Sequence, residues 1–277
     1  MKHFLFSIGL LLATFVAYGQ LYFDLNAGYG LPVYNRGIIG EYDDDCIFLS
    51  NQTITEQSSK SEIIYKTFGQ GYYFNLSVGK YFTNNFSVDI NAGYALSSKI
   101  KSSYIETYED WNDKNYDVLK LSQFYIKPMI TFHITSKTKT SPFLSIGPIF
   151  SMPKMIWTDT WTDGNDTEIA EWVYAGNIAL GLASKLGLEY KLNDKLLLIF
   201  SAEDIHMSYL PKKATLVKYT ENGKNQLNNL EPSEKEIIFV KQLPNKQSEN
   251  EPYKTYGYHY PLSTIAFNIG LRLKFSK

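Results

Sequence analysis

One cysteine, Cys46, stands in a chain of 277 residues, so no disulfide within the chain can hold it together. Net charge is −1, with 27 Lys and Arg against 28 Asp and Glu, which removes the basic footprint expected of a nucleic-acid partner. Long hydrophobic runs are nearly missing: beyond residue 19, nothing approaches the roughly 20 apolar residues of a membrane-spanning helix. The amphipathic period of a helix is almost absent as well. These shortages leave a chain built mainly of β-strands.

The one apolar run, from Phe4 to Val16, follows Lys2 and His3 and precedes Ala17–Gly19. A basic start, an apolar middle and a small-residue end predict a secretory signal peptide over residues 1–19. Residues 20–277 then form one exported domain, and Cys46 lies too far from the cleavage site to carry a lipid.

Aromatic residues are abundant, at 16% with 22 Tyr and 17 Phe. "DLNAGY" at 24–29 returns as "DINAGY" at 89–94. Each copy alternates between Asp, Asn, Gly and Leu or Ile, Ala, Tyr, the period of two that marks a strand with unlike faces. Eight segments alternate in this way, near 20–31, 70–82, 86–98, 120–135, 141–152, 172–191, 195–209 and 262–275. Short polar connections (83–85, 136–140, 192–194) alternate with long ones (32–69, 99–119, 153–171, 210–261). That rhythm predicts an all-β, eight-stranded antiparallel up-and-down transmembrane β-barrel with long extracellular loops.

The faces agree with it. In the last segment Ile265, Phe267, Ile269, Leu271, Leu273 and Phe275 oppose Thr264, Asn268, Gly270, Arg272 and Lys274. Aromatics gather at both ends of the apolar faces: Phe23, Phe82, Phe86, Phe132, Tyr190 and Phe275 near the short turns, and Tyr29, Tyr72, Phe74, Tyr94, Phe124, Phe150 and Tyr174 toward the long connections. Two girdles around an aliphatic band suit a bilayer. Pro128, Pro142 and Pro148 fall on the apolar face, where a bulge at one of them would accommodate the missing donor. The lumen side carries Asp24, Asp89, Glu189 and Glu203 with Lys127, Lys185, Arg272 and Lys274. Eight strands leave room for side chains only, so these charges are expected to form a salt-bridged plug, with Asp24 near Arg272 and Lys127 near Glu203.

Catalytic and metal signals are weak. Asp204, His206 and Ser208 share one strand face, but residues two apart stand about 7 Å from each other, a poor start for a relay. His133 and His259 have no metal-ligand spacing, and no cofactor is indicated. "EYDDDC" (41–46) and "DGNDTE" (163–168) are acidic, yet Trp161 or Thr167 would occupy ligand positions of a calcium loop. The long connections carry charges of about −3, −2, −4 and +2. Asp163-Gly164, Asn222-Gly223 and the stretch Asn112–Asn115 predict hairpin turns, and "EIIFV" (236–240) another extended segment. Trp157, Trp161, Trp172, Tyr253, Tyr256, Tyr258 and Tyr260 are the candidates for contact with a protein partner or a cell-surface glycan.

With its leader, eight strands, "NAGY" and "NIGLRL" phrases and near-terminal Phe275, the chain resembles the PorT-type outer-membrane β-barrel family, and in architecture the small OmpX, OmpW and OmpA barrels. The resemblance implies an outer-membrane location with periplasmic termini, contact with lipid and lipopolysaccharide, and other outer-membrane or secreted proteins as partners. Some relatives are accessory parts of type IX secretion and gliding machinery, so the resemblance implies a non-enzymatic subunit of a secretion or assembly complex. A narrow conduit for small hydrophobic molecules and a hydrolase or lipid-modifying barrel are the alternatives.

Overall fold

The computed structural model describes residues 19–33, 50–55, 58–63, 66–108, 111–134, 138–244 and 246–275. Residues 1–18 of the expected leader 1–19, and the acidic run 41–46 with Cys46, lie outside the described residues. Among the described residues no helix is long and apolar enough to cross a membrane. Among the described residues helix is limited to α1 (Pro232–Lys235) and one 3-10 turn (Leu227–Asn229).

Among the described residues seventeen strands are numbered in chain order. Eight of them are β1 (Gln20–Pro32), β4 (Gly71–Tyr81), β5 (Phe86–Ser97), β7 (Trp111–His133), β8 (Thr140–Asp163), β10 (Ala179–Lys191), β11 (Leu196–Tyr209) and β17 (Thr264–Lys274). Each pairs antiparallel with the next, and β17 returns to β1, so the eight form a closed ring. The other nine are β2 (Ser50–Thr55), β3 (Ser58–Ile63), β6 (Ile100–Tyr108), β9 (Asp166–Ala175), β12 (Lys213–Glu221), β13 (Lys224–Asn225), β14 (Glu236–Val240), β15 (Tyr253–Tyr256) and β16 (Tyr260–Pro261).

Following the pairs around the ring leads from Leu21 through Lys80, Val88, Ile130, Ile146, Ser184, Asp204 and Ile265 to Leu31. One circuit therefore advances ten residues along β1, from Leu21 to Leu31. For eight strands that stagger fixes a tilt of about 40°. An 11-residue strand such as β17 then rises about 27 Å along the ring axis.

Alternation decides what each face meets. Asp24, Asn26, Asp89, Asn91, Lys127, Glu203 and Arg272 are buried inside the ring, while Leu25, Ile90, Ile126, Phe267 and Leu271 stand exposed outside. The glycines of the two copies are required by different neighbours, and a Cβ on Gly28 would strike the side chain of Asn268 and the Phe267 carbonyl oxygen. A Cβ on Gly93 would collide with the ring of Tyr125, and one on Gly79 with the ring of Tyr22, so glycine makes sockets for interior tyrosines.

The prolines behave differently from expectation. The β7–β8 ladder holds as far as Ile126↔Phe150 and resumes at Ile130↔Ile146 in the same register. Pro128 and Pro148 face each other within that gap, so two residues without an N–H share one interruption and no extra residue is inserted. Here the backbones come so close that a Cβ on Gly147 would strike the Pro128 carbonyl oxygen.

Above the ring β7 and β8 continue without interruption. Pairing of β5 with β7 ends at Leu96↔Ser122, after which β6 takes over from Leu119. Likewise β10 leaves β8 at Ser151, and β9 takes over from Met155. A wall results, in the order β3-β2-β6-β7-β8-β9-β12-β14-β15. The sixth expected segment, 172–191, is thereby split. Gly176 (φ 85) and Asn177 (φ 60) turn the chain in left-handed conformations, and Trp172 and Tyr174 belong to β9, which is not a ring strand. In the second long connection the strands close at Tyr108↔Trp111, so Asn112–Asn115 are strand residues rather than a turn. The turns at Asp163↔Asp166 and Glu221↔Lys224 fall at Asp163-Gly164 and Asn222-Gly223, with Gly164 (φ 54), Asn222 (φ 49) and Gly223 (φ 77) supplying the positive angles.

Gly147→Val should break the close β7–β8 approach, with a loss on the order of 2 kcal/mol or more. The check is the urea midpoint in detergent together with the folded band on unheated gels. A variant with an unchanged midpoint would contradict the close approach.

Candidate functional site

The ring interior has two zones. Near the short turns lies a buried ion cluster. Arg272 donates from Nε to Asp24 Oδ1 (2.6 Å) and from Nη2 to Asp24 Oδ2 (2.7 Å), a bidentate pair across the strands that close the ring. Its Nη1 donates to Glu189 and to Tyr81 Oη (2.7 Å). The guanidinium lies 3.9 Å from the ring centre of Tyr22. His133 Nδ1 sits 3.3 Å from Glu189 Oε1, at an angle that makes it a close contact rather than an aligned hydrogen bond. Tyr22 donates to Asp89 Oδ2 (3.1 Å), which Thr131 also approaches at 3.4 Å. At mid-height Lys127 Nζ donates to Glu203 Oε1 at 2.6 Å, with both side chains buried.

Of the eight lumen charges read from the sequence, the structure brings together Asp24, Glu189 and Arg272, and separately Lys127 and Glu203. Lys185 lies directly across from Glu203 on the neighbouring strand. Lys274 stands 4.6 Å from the ring centre of Tyr81, and Asp89 is held by hydroxyls. Tyr22, Tyr81 and His133 complete the cluster, and their inward phase in β1, β4 and β7 was available in the sequence.

The zone toward the long connections is apolar, which the expectation of a salt-bridged plug did not include. Phe68, Tyr73, Ile100, Leu119, Ile149, Met155, Tyr209, Tyr260 and Leu262 are buried there in one cluster. Tyr174 joins it, stacked on Phe239 at 6.0 Å and edge-on to Tyr260 at 6.2 Å. Two expected positions are therefore corrected. Tyr174 is no girdle residue and Tyr260 is no exposed contact, because both fill the top of the ring. Trp157 and Trp172 pack partly against this cluster, whereas Tyr253 and Tyr256 are exposed.

The wall continues the inward face upward in cross-strand rows. The lowest is apolar: Ile100, Leu119, Trp157, Trp172, Leu216. Ser102, Asp117, Asp159, Ala170 and Tyr219 come next, then Tyr104, Asn115, Trp161, Glu168 and Glu221. The last row is Glu106, Asp113, Asp163 and Asp166, four carboxylates directly opposed on four strands. Some are held by neutral donors. Trp157 Nε1 donates to Asp117 Oδ1 (2.7 Å), Ser102 to Asp117 Oδ2 (3.0 Å), and Tyr219 to Glu168 (3.1 Å) and Glu221 (2.9 Å). No lysine or arginine occupies this face in the described parts of β6, β7, β8, β9 and β12 above the ring. Lys101, Lys114, Lys120, Lys154, Lys213 and Lys218 all take the opposite phase. Burial, followed by the facing Asp117, pushes the Asp159 carboxyl up to about 6.

Asp204, His206 and Ser208 point outward from β11. His206 Nε2 does reach Asp204 Oδ2, at 2.9 Å, closer than their strand spacing suggests. Ser208, however, meets His259 Nδ1 at 3.4 Å instead, so the three form no relay. Among the described residues no group of three His, Cys, Asp or Glu side chains is placed to hold a metal ion.

No family model matches the chain, and no curated protein does. Two solved structures are similar across most of its length. One is Neisserial surface protein A, at 8% identity over 92% of this chain and 97% of the other, with a TM-score of 0.34. The second is the outer membrane protein OprG from Pseudomonas aeruginosa, at 12% identity over 94% and 97%, with a TM-score of 0.44. At these scores the likeness carries no functional argument.

Arg272→Ala leaves Asp24 and Glu189 buried without a cation and should cost about 3–5 kcal/mol, whereas Arg272→Met combined with Asp24→Asn and Glu189→Gln should recover most of that loss. Urea midpoints in detergent test both. Asp159 ionises higher in the folded wall than in an unfolded chain. Its neutral form therefore favours the wall at low pH, and that contribution is lost as pH rises through about 6. Amide protection at 157–161, corrected for intrinsic exchange, should fall between pH 5 and 7 by an amount on the order of 1 kcal/mol. The Asp159→Asn chain should show no such step.

Proposed function

We propose that the chain is an outer-membrane protein whose ring is a transmembrane β-barrel and whose wall stands outside the cell as a binding surface for a protein partner. The observation that carries the membrane reading is the outer face of the ring. Val78 and Ile90 (each 60% exposed) and Leu186 (64%) belong to a continuous apolar band far larger than a soluble protein leaves in water. Aromatic side chains bracket that band: Phe82, Phe86, Phe132 and Phe275 at one edge, Tyr72, Phe74, Tyr94, Phe124 and Phe150 at the other. The rise of about 27 Å suits the ~25 Å apolar belt of outer-membrane barrels.

Beyond the upper aromatics, Lys99, Lys101, Lys120, Lys154 and Lys212 point outward where the phosphates of an outer leaflet would lie. A shallow groove of about 690 Å³ around Ala202, lined by Leu186, Leu188, Phe200, Phe267 and Ile269, opens sideways on the same outer face and fits an acyl tail. On this reading the termini are periplasmic and the leader serves export.

The interior favours a binding protein over a conduit. Tyr22, Lys127, Glu203, Met129, Ile149 and Tyr209 are fully buried at successive heights, so side chains occupy the path that a solute would take. The wall is the feature left without a structural task in the ring, and its half-exposed Trp157, Trp161 and Trp172 are side chains that interfaces favour. The most concrete version is an accessory subunit of a larger outer-membrane complex of the secretion or assembly kind.

A photo-crosslinking side chain placed at position 161 in cells should yield one or a few discrete crosslinked products, and the purified chain in planar bilayers should stay at baseline current. Absence of any crosslinked protein would end the partner reading. Regular conductance steps would instead favour the conduit.

A further inference from the structure

We propose that the inward face of the wall docks a lysine- or arginine-bearing segment of a protein partner, an inference that rests on the partner reading above. The chain answers the charge of this face only with neutral donors, such as Tyr104 and Tyr108 to Glu106 and Asn222 to Asp166, and supplies no cation. Directly opposed like charges destabilise a sheet, and Glu106, Asp113, Asp163 and Asp166 stand in one such row across four adjacent strands. Above the ring the lysines of these strands all lie on the other face, so the wall segregates its charges rather than pairing them across neighbours. Asp113 accepts from Trp161 and Asp159 from Asn115, yet one oxygen of each of Asp113, Asn115 and Asp159 (Oδ1) still lacks a donor.

The shape of the problem selects the ligand. No three carboxylates converge on a point among the described residues, which disfavours a metal ion. They repeat instead at the strand spacing of about 4.8 Å, which matches a ligand carrying several cations along its length. Trp161 lies between the two upper acidic groupings, and its indole offers a face to a cation's alkyl stem or guanidinium. Below it, Trp157 and Trp172 offer an apolar base for the segment's uncharged side chains. The chain's own connection between β1 and β2 cannot serve, since residues 34–49 carry Arg36 against Glu41, Asp43, Asp44 and Asp45.

The test uses the full chain in detergent and a fluorescein-labelled oligolysine of ten residues, followed by anisotropy. Binding is expected at low salt, weakening as salt rises, as charge pairing at a partly exposed surface requires. The variant Asp113→Asn, Asp163→Asn, Asp166→Asn keeps side-chain shape, relieves the opposed charges and should bind at least tenfold more weakly. Lys120→Gln with Lys154→Gln, on the opposite face, should bind as the unchanged chain does. Equal affinity in the triple variant overturns the inference. So does calcium chloride binding at that face without competition from oligolysine, or self-association of the chain that the triple variant abolishes. If oligolysine fails while crosslinking at position 161 still captures a protein, the cationic inference falls and the partner reading stands. If oligolysine binds in a carboxylate-dependent way but crosslinking captures nothing, the partner reading falls and cation recognition remains.

Discussion

Everything in this molecule depends on β17 finding β1. Until those strands pair, a sheet of eight has two open edges and an interior row of charges facing water. Closure with a ten-residue stagger removes both edges and sets the tilt from which the height of the apolar band follows. The same pairing places Arg272 directly opposite Asp24, so the seam is stitched by the backbone ladder and by a bidentate ion pair. Sequence separation makes that seam slow to form, because its partners lie at opposite ends of the chain.

Charge is handled in two opposite ways within one chain. Inside the ring, where water is excluded, Arg272, Asp24, Glu189, Lys127 and Glu203 have partners at hydrogen-bond distance. Above it, carboxylates face carboxylates across neighbouring strands. Burial leaves no choice in the first case, because an unpaired ion there would be prohibitive. Partial solvation permits the second.

Much of this was legible from residue order. A period of two marked the inward and outward sets, and the interior pairs Asp24–Arg272 and Lys127–Glu203 followed from phase and depth alone. The wall was harder to see. Asp113, Asn115 and Asp117 alternate as regularly as any ring strand, but their polarity matched a solvated loop, and the expected turn was put among them. Whether Trp172 and Tyr174 continue a ring strand depended on Gly176-Asn177, a turn signal embedded in a run that alternates on both sides. The apolar plug was not readable either. Phe68, Tyr209 and Leu262 reach it from connections and strand ends, where no period tells a side chain which way to point.

Two unbroken strands, β7 and β8, belong both to the ring and to the wall. The wall is thus neither hinged nor tethered by a linker. A pull on its tip would run along two neighbouring staves and reach the opposed prolines Pro128 and Pro148, where the ladder between them lacks rungs. That short gap is where such a load would first let the two staves slide, giving the ring a built-in weak seam on the side that carries the wall.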